Sequence, residues 1–232
     1  MSGAAFANPV FVALDVAELG VAEDLARRLE GHVGGFKVGL ELFSARGPEA
    51  VTAIAAHGPV FLDLKLHDIP NTVARACRRL SGLGVDLLTV HASGGPDMVA
   101  AAADAFDGRV LAVTVLTSLS DADLGGVGQP GAAAQVRNLA GVAVDAGAPG
   151  IVCAARHARD ARDIVGTQVL VVTPGIRPAG AGGDDHARAA TPEEALAAGA
   201  DIIVVGRPIT AARDPVDAAR RIVVSLAGRG RA

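Results

Sequence analysis

The stretch best suited to chemistry runs from residue 61 to residue 72 and places charged side chains in a predicted strand. It opens with apolar residues after a Gly-Pro pair, which is typical of a strand. Asp63 and Lys65 are two residues apart, so on a strand both side chains point to the same face. Charges in a strand that is covered on both faces persist only when they are paired. The spacing indicates a reaction site, although a salt-bridged edge strand would give the same pattern.

Lysine occurs at two positions, Lys37 and Lys65, among 21 Lys and Arg residues. Arginine is permanently protonated, whereas the pKa of a lysine can be moved and its proton given away. Lys37 lies in a second short apolar run bounded by glycines. Both lysines therefore fall in predicted strands, where a charge that only improves solubility is not expected.

The length favours one large domain with a substantial core over residues 1–232. A net charge of −4 argues against nucleic acid or an anionic membrane as a partner. The sequence has no apolar run of about 18 residues that could span a membrane, and its start does not resemble a signal peptide. Cys77 and Cys153 lack metal-site spacing, so we expect free buried thiols in a cytoplasmic protein.

Strand-like and helix-like segments alternate along the whole chain, and residues 116–129, after the fifth strand, are predicted to be a loop. Besides the strand that opens at Val60, the predicted strands are residues 10–14, 36–40, 87–91, 110–115, 151–154, 169–172 and 202–205. Eight strand–helix units of about 28 residues each predict a parallel sheet with right-handed crossovers. A closed (β/α)8 TIM barrel, an α/β fold, fits this length best. An open doubly wound sheet is the alternative, but it would place a glycine-rich dinucleotide loop after the first strand, where Asp15 stands instead.

In such a barrel the active site lies at the carboxyl ends of the strands. Five charged residues fall at or near the ends of the first three strands, namely Asp15, Lys37, Asp63, Lys65 and Asp68. We expect these charges to converge at one mouth of the barrel and to form a reaction site.

The last two strand ends carry a pattern that suits a phosphate group. Gly206 and Arg207 follow the eighth strand, and Arg177 follows the seventh. Loops after strands seven and eight of these barrels often bind phosphate through backbone N–H groups and a cation. The long loop over residues 178–192 is therefore predicted to be a lid over a phosphate, although its composition also suits a plain surface loop.

The motif Asp63-x-Lys65-x-x-Asp68-Ile69-Pro70-Asn71-Thr72 closely resembles the signature of orotidine 5′-phosphate decarboxylase. The likeness extends over the chain, through residues 14–15, 36–39, 113–118, 172–177 and 205–209. It implies the last step of UMP synthesis, in which orotidine 5′-phosphate loses CO2 to give UMP without a metal or an organic cofactor.

The resemblance also implies a role for each site residue. Lys65 would protonate C6 of the pyrimidine as the carbanion forms, and Asp63 would lie against the departing carboxylate. Lys37, Asp63, Lys65 and Asp68 would form an alternating charge array. Asp68 would come from the second subunit of a homodimer.

Substrate binding is implied for the remaining matched positions. Asp15 and Lys37 would hold the ribose hydroxyls, and Thr117 would contact the pyrimidine edge. Arg177, Gly206 and Arg207 would bind the phosphate. Ile69, Thr72 and Pro174 are the other substrate-binding positions that the motifs imply.

One position departs from the family pattern. The family usually has Gln in the lid after a Gly-Asp-Asp run, and here that run ends in His186. Histidine can donate the same hydrogen bonds as Gln, but it also titrates near neutral pH.

Two other functions compete with the decarboxylase. A magnesium-dependent sugar-phosphate decarboxylase or hexulose-phosphate synthase of the same superfamily would share Asp-x-Lys-x-x-Asp but carry an acidic residue in place of Lys37. A non-catalytic nucleotide-binding barrel would not need Asp63 near an anionic ligand. The complete charge array favours the decarboxylase over both.

Overall fold

The computed structural model describes residues 6–179 and 190–227, which form a closed barrel of eight parallel strands. Neighbouring strands pair in chain order, and β8 closes the barrel by pairing with β1. The strands are β1 (Val10–Ala13), β2 (Gly35–Gly39), β3 (Val60–Leu66), β4 (Leu87–His91), β5 (Arg109–Val113), β6 (Gly150–Val152), β7 (Leu170–Thr173) and β8 (Ile202–Val205). The predicted (β/α)8 architecture is confirmed.

Helices connect the strands and cover the barrel. They are α1 (Leu19–Leu29), α2 (Leu40–Arg46), α3 (Pro48–Ala55), α4 (Pro70–Ser81), α5 (Pro96–Ala105), α6 (Asp121–Gly126), α7 (Ala132–Asp145), α8 (Ala158–Val165), α9 (Pro192–Ala197), α10 (Arg207–Thr210) and α11 (Pro215–Ala227). Several begin with proline, whose fixed φ and missing N–H suit the first helical turn. Among the described residues, no helix combines the length and apolar character that a bilayer crossing requires.

The segment 116–129, predicted to be a loop, contains α6. The Ser120 hydroxyl accepts a hydrogen bond from the Asp123 N–H at 3.2 Å, and the Asp123 carboxylate accepts one from the Ser120 N–H at 2.8 Å. This reciprocal capping box starts a helix of six residues. Six residues are too few to show a helical period in the sequence, which is why the prediction was wrong here.

Large apolar side chains fill the inside of the barrel below the charged mouth. A Cβ atom added to Gly35 would lie 2.4 Å from the Phe11 ring, and one added to Gly150 would lie 2.3 Å from Leu111 Cδ2. These two glycines therefore leave the space that the neighbouring large side chains occupy. Phe61, which is also buried, packs in the same interior cluster. These side chains form a tightly packed apolar layer beneath the charged residues.

The opposite end of the barrel is held by carboxylates. The Asp86 carboxylate accepts a hydrogen bond from the Val60 N–H at 2.8 Å, and the Asp201 carboxylate accepts one from the Val171 N–H at 2.7 Å. The Arg162 guanidinium forms an ion pair with Asp201 and donates to backbone carbonyls of three further residues. Because this is the amino-terminal face of the strands, we assign these contacts to stability and not to chemistry.

Candidate active site

Four of the predicted charged residues meet at the carboxyl-terminal mouth of the barrel. Asp15 follows β1, Lys37 lies in β2, and Asp63 and Lys65 lie in β3. Each of these strands presents alternate residues to the barrel interior, so the side chains converge. All four line one cavity of about 240 Å³.

The four side chains form a row of alternating charge. Lys65 Nζ lies 2.8 Å from Asp63 Oδ1 and 2.9 Å from Oδ2. Lys37 Nζ lies 2.8 Å from Asp15 Oδ1 and 3.8 Å from Asp63 Oδ2. The order is therefore Asp15, Lys37, Asp63, Lys65, with each ammonium group next to a carboxylate.

The middle of this row is withdrawn from water. The side chains of Lys37 and Asp63 are 10% and 14% exposed, that of Lys65 is 28% exposed, and that of Asp15 is 55% exposed. Burial of an unpaired charge is strongly unfavourable, so Lys37 and Asp63 each need an opposite charge beside them. Withdrawal from water also strengthens the attraction or repulsion between the row and a charge that develops beside it.

Glycine at position 39 leaves room for the outer ion pair. A Cβ atom there would lie 2.9 Å from both Asp15 Oδ1 and Lys37 Nζ. A side chain at Gly39 would therefore push apart the two atoms that now form a 2.8 Å contact.

Lys65 has an unusual backbone conformation. Its φ angle is +52°, and no other non-glycine residue in the described ranges has a positive φ. L-residues avoid this left-handed region, which costs roughly 1–2 kcal/mol. The pairing between β3 and β4 shifts register at the same place, between Leu62 and Leu66. Such strained positions cluster at functional sites, where the surrounding structure maintains them.

Apart from Thr117 and Pro174, the residues that complete the cavity were not predicted from the sequence. Apolar side chains from the barrel strands and from the segment after β5 line the cavity with the charged row, namely Phe61, Val113, Val115, Leu116, Val152, Val172 and Val204. Thr89, which is fully buried in β4, donates a hydrogen bond to Asp63 Oδ1 at 2.9 Å. Thr89 could have been found from the alternation of side chains along β4. Leu87, Thr89 and His91 are two residues apart, so they share the face that points into the barrel.

The other predicted substrate positions divide into two groups. Thr117 and Pro174 line the same cavity as the charged row. Asp68, Ile69 and Thr72 lie outside its lining, at the start of α4. The Asp68 carboxylate accepts a hydrogen bond from the Ile69 N–H of its own chain at 2.7 Å, and Ile69 is 67% exposed.

The predicted phosphate residues lie at the ends of β7 and β8. The Arg177 N–H donates to the carbonyl of Ala190 at 3.0 Å, and Arg207 begins α10 directly after Gly206. Within the described ranges, neither arginine forms an ion pair. As far as the described part of the chain shows, two cations without a carboxylate partner are thus available near the ends of β7 and β8. His186 lies outside the described residues.

Two titratable groups near the charged row are held neutral. Burial lowers the pKa of His91, and the nearby His67 and Lys65 lower it further, against a weaker opposing effect of Asp63. Burial raises the pKa of the Cys153 thiol, which lines the cavity, to about 12. Cys153 is therefore a protonated thiol and not a nucleophile at neutral pH. Among the described residues, no cluster of three or more His, Cys, Asp or Glu could hold a metal ion.

A larger and more open depression of about 790 Å³ lies beside α6, α7 and α9. Its charged lining has structural partners: the Asp121 carboxylate accepts from the Ala132 N–H at 2.7 Å, and Arg156 donates to the His157 ring at 3.0 Å. The described residues of its lining form no alternating row of buried charges, so the smaller cavity is the better candidate for chemistry.

Comparison with known proteins agrees with this assignment. The profile of the family described as "Orotidine 5'-phosphate decarboxylase / HUMPS family" matches residues 8–222. An orotidine 5′-phosphate decarboxylase of Anaeromyxobacter sp. (strain K) is 56% identical, over 94% of this chain and 97% of that protein. One of Thermobifida fusca is 52% identical, over 97% of this chain and 98% of that protein.

Solved structures show the same fold. A crystal structure of orotidine 5′-phosphate decarboxylase from Lactobacillus acidophilus superposes with a TM-score of 0.82 and 38% identity, covering 94% of this chain and 99% of that one. The enzyme from Pyrococcus horikoshii OT3 gives a TM-score of 0.78 at 27% identity, covering 94% of this chain and 99% of that one. With the profile covering most of its length, this chain belongs to the orotidine 5′-phosphate decarboxylase / HUMPS family.

Proposed function

We propose that this protein decarboxylates orotidine 5′-phosphate to UMP, the final step of pyrimidine nucleotide synthesis, and that it works as a cytoplasmic homodimer. The observation that carries the proposal is the row Asp15, Lys37, Asp63 and Lys65, which ends in an ammonium group beside an apolar wall. The identity of about 50% to decarboxylases over nearly the whole chain supports the same reaction.

The reaction needs an acid next to a forming carbanion. The bond between C6 and the carboxylate breaks, the electron pair stays on C6, and CO2 leaves. The Lys65 ammonium stabilises this charge in a dry site and then transfers a proton to C6. The neutral amine that remains takes a proton back from solvent, so the cycle needs no oxidant or reductant.

Asp63 and Lys37 set the charge around the reacting bond. A substrate carboxylate placed beside Asp63 is repelled, and the repulsion is relieved as the carboxylate becomes neutral CO2. Asp63 also holds the Lys65 ammonium through both oxygens, at 2.8 and 2.9 Å. Lys37 and Asp15, joined at 2.8 Å at the more exposed end of the row, would bind the ribose hydroxyls.

Arg177 and Arg207 would bind the substrate phosphate. Both are cations without an ion-pair partner among the described residues, and an arginine fork matches the geometry of phosphate oxygens. Phosphate binding far from C6 supplies energy for orienting the pyrimidine and closing the lid. His186 would donate a hydrogen bond to substrate from that lid in place of the usual Gln.

A magnesium-dependent reaction does not suit this donor set. The Lys37 ammonium lies between the carboxylates of Asp15 and Asp63, at 2.8 and 3.8 Å. A fixed cation already occupies the position that a divalent ion would need, and it would repel that ion. We therefore propose that catalysis needs no metal.

Loss of orotidine 5′-phosphate followed by ultraviolet absorbance tests the proposal. Wild-type protein should turn over substrate equally with and without EDTA. Lys65→Arg should be nearly inactive, because guanidinium is a far weaker acid, while still binding UMP. No wild-type turnover would refute the decarboxylase function, and EDTA-sensitive turnover would refute the metal-free mechanism.

We further propose that Asp68 acts in the site of the other subunit. It lies outside the cavity lining of its own chain and is exposed at the start of α4. Homodimers of Lys65→Ala and of Asp68→Asn should both be nearly inactive. After subunit exchange of equal amounts, roughly a quarter of wild-type activity should return, because half the dimers are mixed and each has one intact site. No recovery after verified exchange would mean that Asp68 serves its own chain.

A further inference from the structure

A bulge in β3 faces a single residue of β4. The ladder between the two strands is regular up to Leu62 and resumes at Leu66, where β3 has advanced by four residues and β4 by two. Asp63 and Lys65 lie within the bulge, and Thr89 is the residue of β4 opposite them. Lys65 carries its positive φ angle here, so its backbone N–H is turned out of the ordinary ladder.

The hydroxyl of Thr89 contacts both ends of the bulge. It accepts a hydrogen bond from the Lys65 N–H at 2.9 Å and donates one to Asp63 Oδ1 at 2.9 Å. An ionised carboxylate can only accept, so the single hydroxyl hydrogen must point to Asp63. Thr89 is fully buried, so water does not compete for either bond.

These contacts close a ring around the proposed proton donor. Thr89 holds the backbone of Lys65 directly and holds its ammonium group through the Asp63 carboxylate. A valine at this position would fill the same space in the barrel interior, but it could make neither hydrogen bond. The hydroxyl is therefore needed by the charged row and not by the packing of the core.

We propose that Thr89 is a positioning residue for decarboxylation, which fixes Asp63 and the strained backbone of Lys65 so that the ammonium points at C6. This inference rests on the proposed function. It assigns Thr89 to the orientation of the reacting groups and not to substrate affinity, because the hydrogen bonds of its hydroxyl go to Lys65 and Asp63 and not to a residue proposed to hold the ribose or the phosphate.

Steady-state kinetics with a set of threonine variants tests the inference. Thr89→Val should lower kcat by about thirtyfold, as expected for loss of a hydrogen bond to a charged group, while KM changes by less than about threefold. Thr89→Ser keeps the hydroxyl and should retain most of the activity. Thr114→Val is the matched control, because Thr114 is also buried but donates to the backbone carbonyl of Val152 at 2.9 Å and not to a charged side chain. It should keep the wild-type kcat.

The outcomes separate this inference from the function on which it rests. Absence of turnover in the wild-type protein overturns both. If the wild type is active, three results overturn the positioning role alone. They are an unimpaired Thr89→Val variant, a Thr89→Val variant whose KM rises while its kcat is unchanged, and a Thr89→Ser variant as slow as Thr89→Val. If Thr89→Val does not fold, Thr89→Ser and Thr89→Ala decide, since they differ only in the hydroxyl. Equal kcat values for that pair again overturn the role.

Discussion

The positive φ angle of Lys65 predicts an unusual order of stability among its variants. At +52° an alanine would carry the left-handed strain, about 1–2 kcal/mol, whereas glycine adopts this conformation freely. Lys65→Gly should therefore be more stable than Lys65→Ala by about 1 kcal/mol. Both variants lose the ammonium group and leave Asp63 in the same environment, so that loss cancels in the comparison.

Lys37 provides the matched control. It is also a lysine in a barrel strand and a partner of Asp63, but its φ angle is not positive. There the ordinary order holds, and Lys37→Gly should be less stable than Lys37→Ala by about 0.5–1 kcal/mol. The order of glycine and alanine thus reverses between the two lysines, with a combined difference of about 2 kcal/mol.

Thermal and urea unfolding of the four variants measures this difference. In a domain of this size about 1 kcal/mol corresponds to about 2–4 °C in Tm, which calorimetry resolves. All four should be catalytically impaired, so stability and not activity is the readout. If glycine is less stable than alanine at both positions, the backbone of Lys65 is not strained and this reasoning is refuted.

Three further predictions concern residues that take no part in the proposed reaction. Arg162→Ala should lower the free energy of unfolding by about 2–3 kcal/mol in urea titrations, because it removes the ion-pair partner of the partly buried Asp201 and the donor to three backbone carbonyls. Arg221→Ala, in an exposed pair, should change it by less than about 0.5 kcal/mol. Burial raises the pKa values of Cys77 and Cys153 to about 11 and 12. Neither thiol should therefore react with Ellman's reagent at pH 8 until the protein unfolds, and rapid labelling of the native protein would contradict this. Burial lowers the pKa of His91 below 6.5, so the unfolded chain binds the extra proton and the free energy of unfolding should fall as the pH drops through 6.5. His91→Gln should reduce this pH dependence. An unchanged dependence would mean that other groups cause it.

Much of the architecture could be predicted because it depends on local patterns. Short apolar runs separated by helical segments predict the eight strands, and their spacing predicts the closed barrel. The bounds of β4 and β8 agree residue for residue with the predicted 87–91 and 202–205. Short helices such as α6 were missed, because a few residues cannot display a helical period.

For the candidate site, the sequence by itself determined which charges could act and on which strand face they lie. The period of two in a strand predicts that Asp63 and Lys65 share a face, and both do line the cavity, although the bulge interrupts the regular alternation at Lys65. Motif likeness supplied the chemical roles, which remain proposals.

Only the tertiary structure decided how the charges are arranged. The distances that place Lys37 between Asp15 and Asp63 depend on the register of three strands that lie far apart in sequence. The positive φ of Lys65 and the hydroxyl of Thr89 opposite it belong to a bulge that no local pattern announces. Strand pairing brings Thr89 to Asp63 across 26 residues of sequence, and such long-range geometry is absent from residue spacing alone.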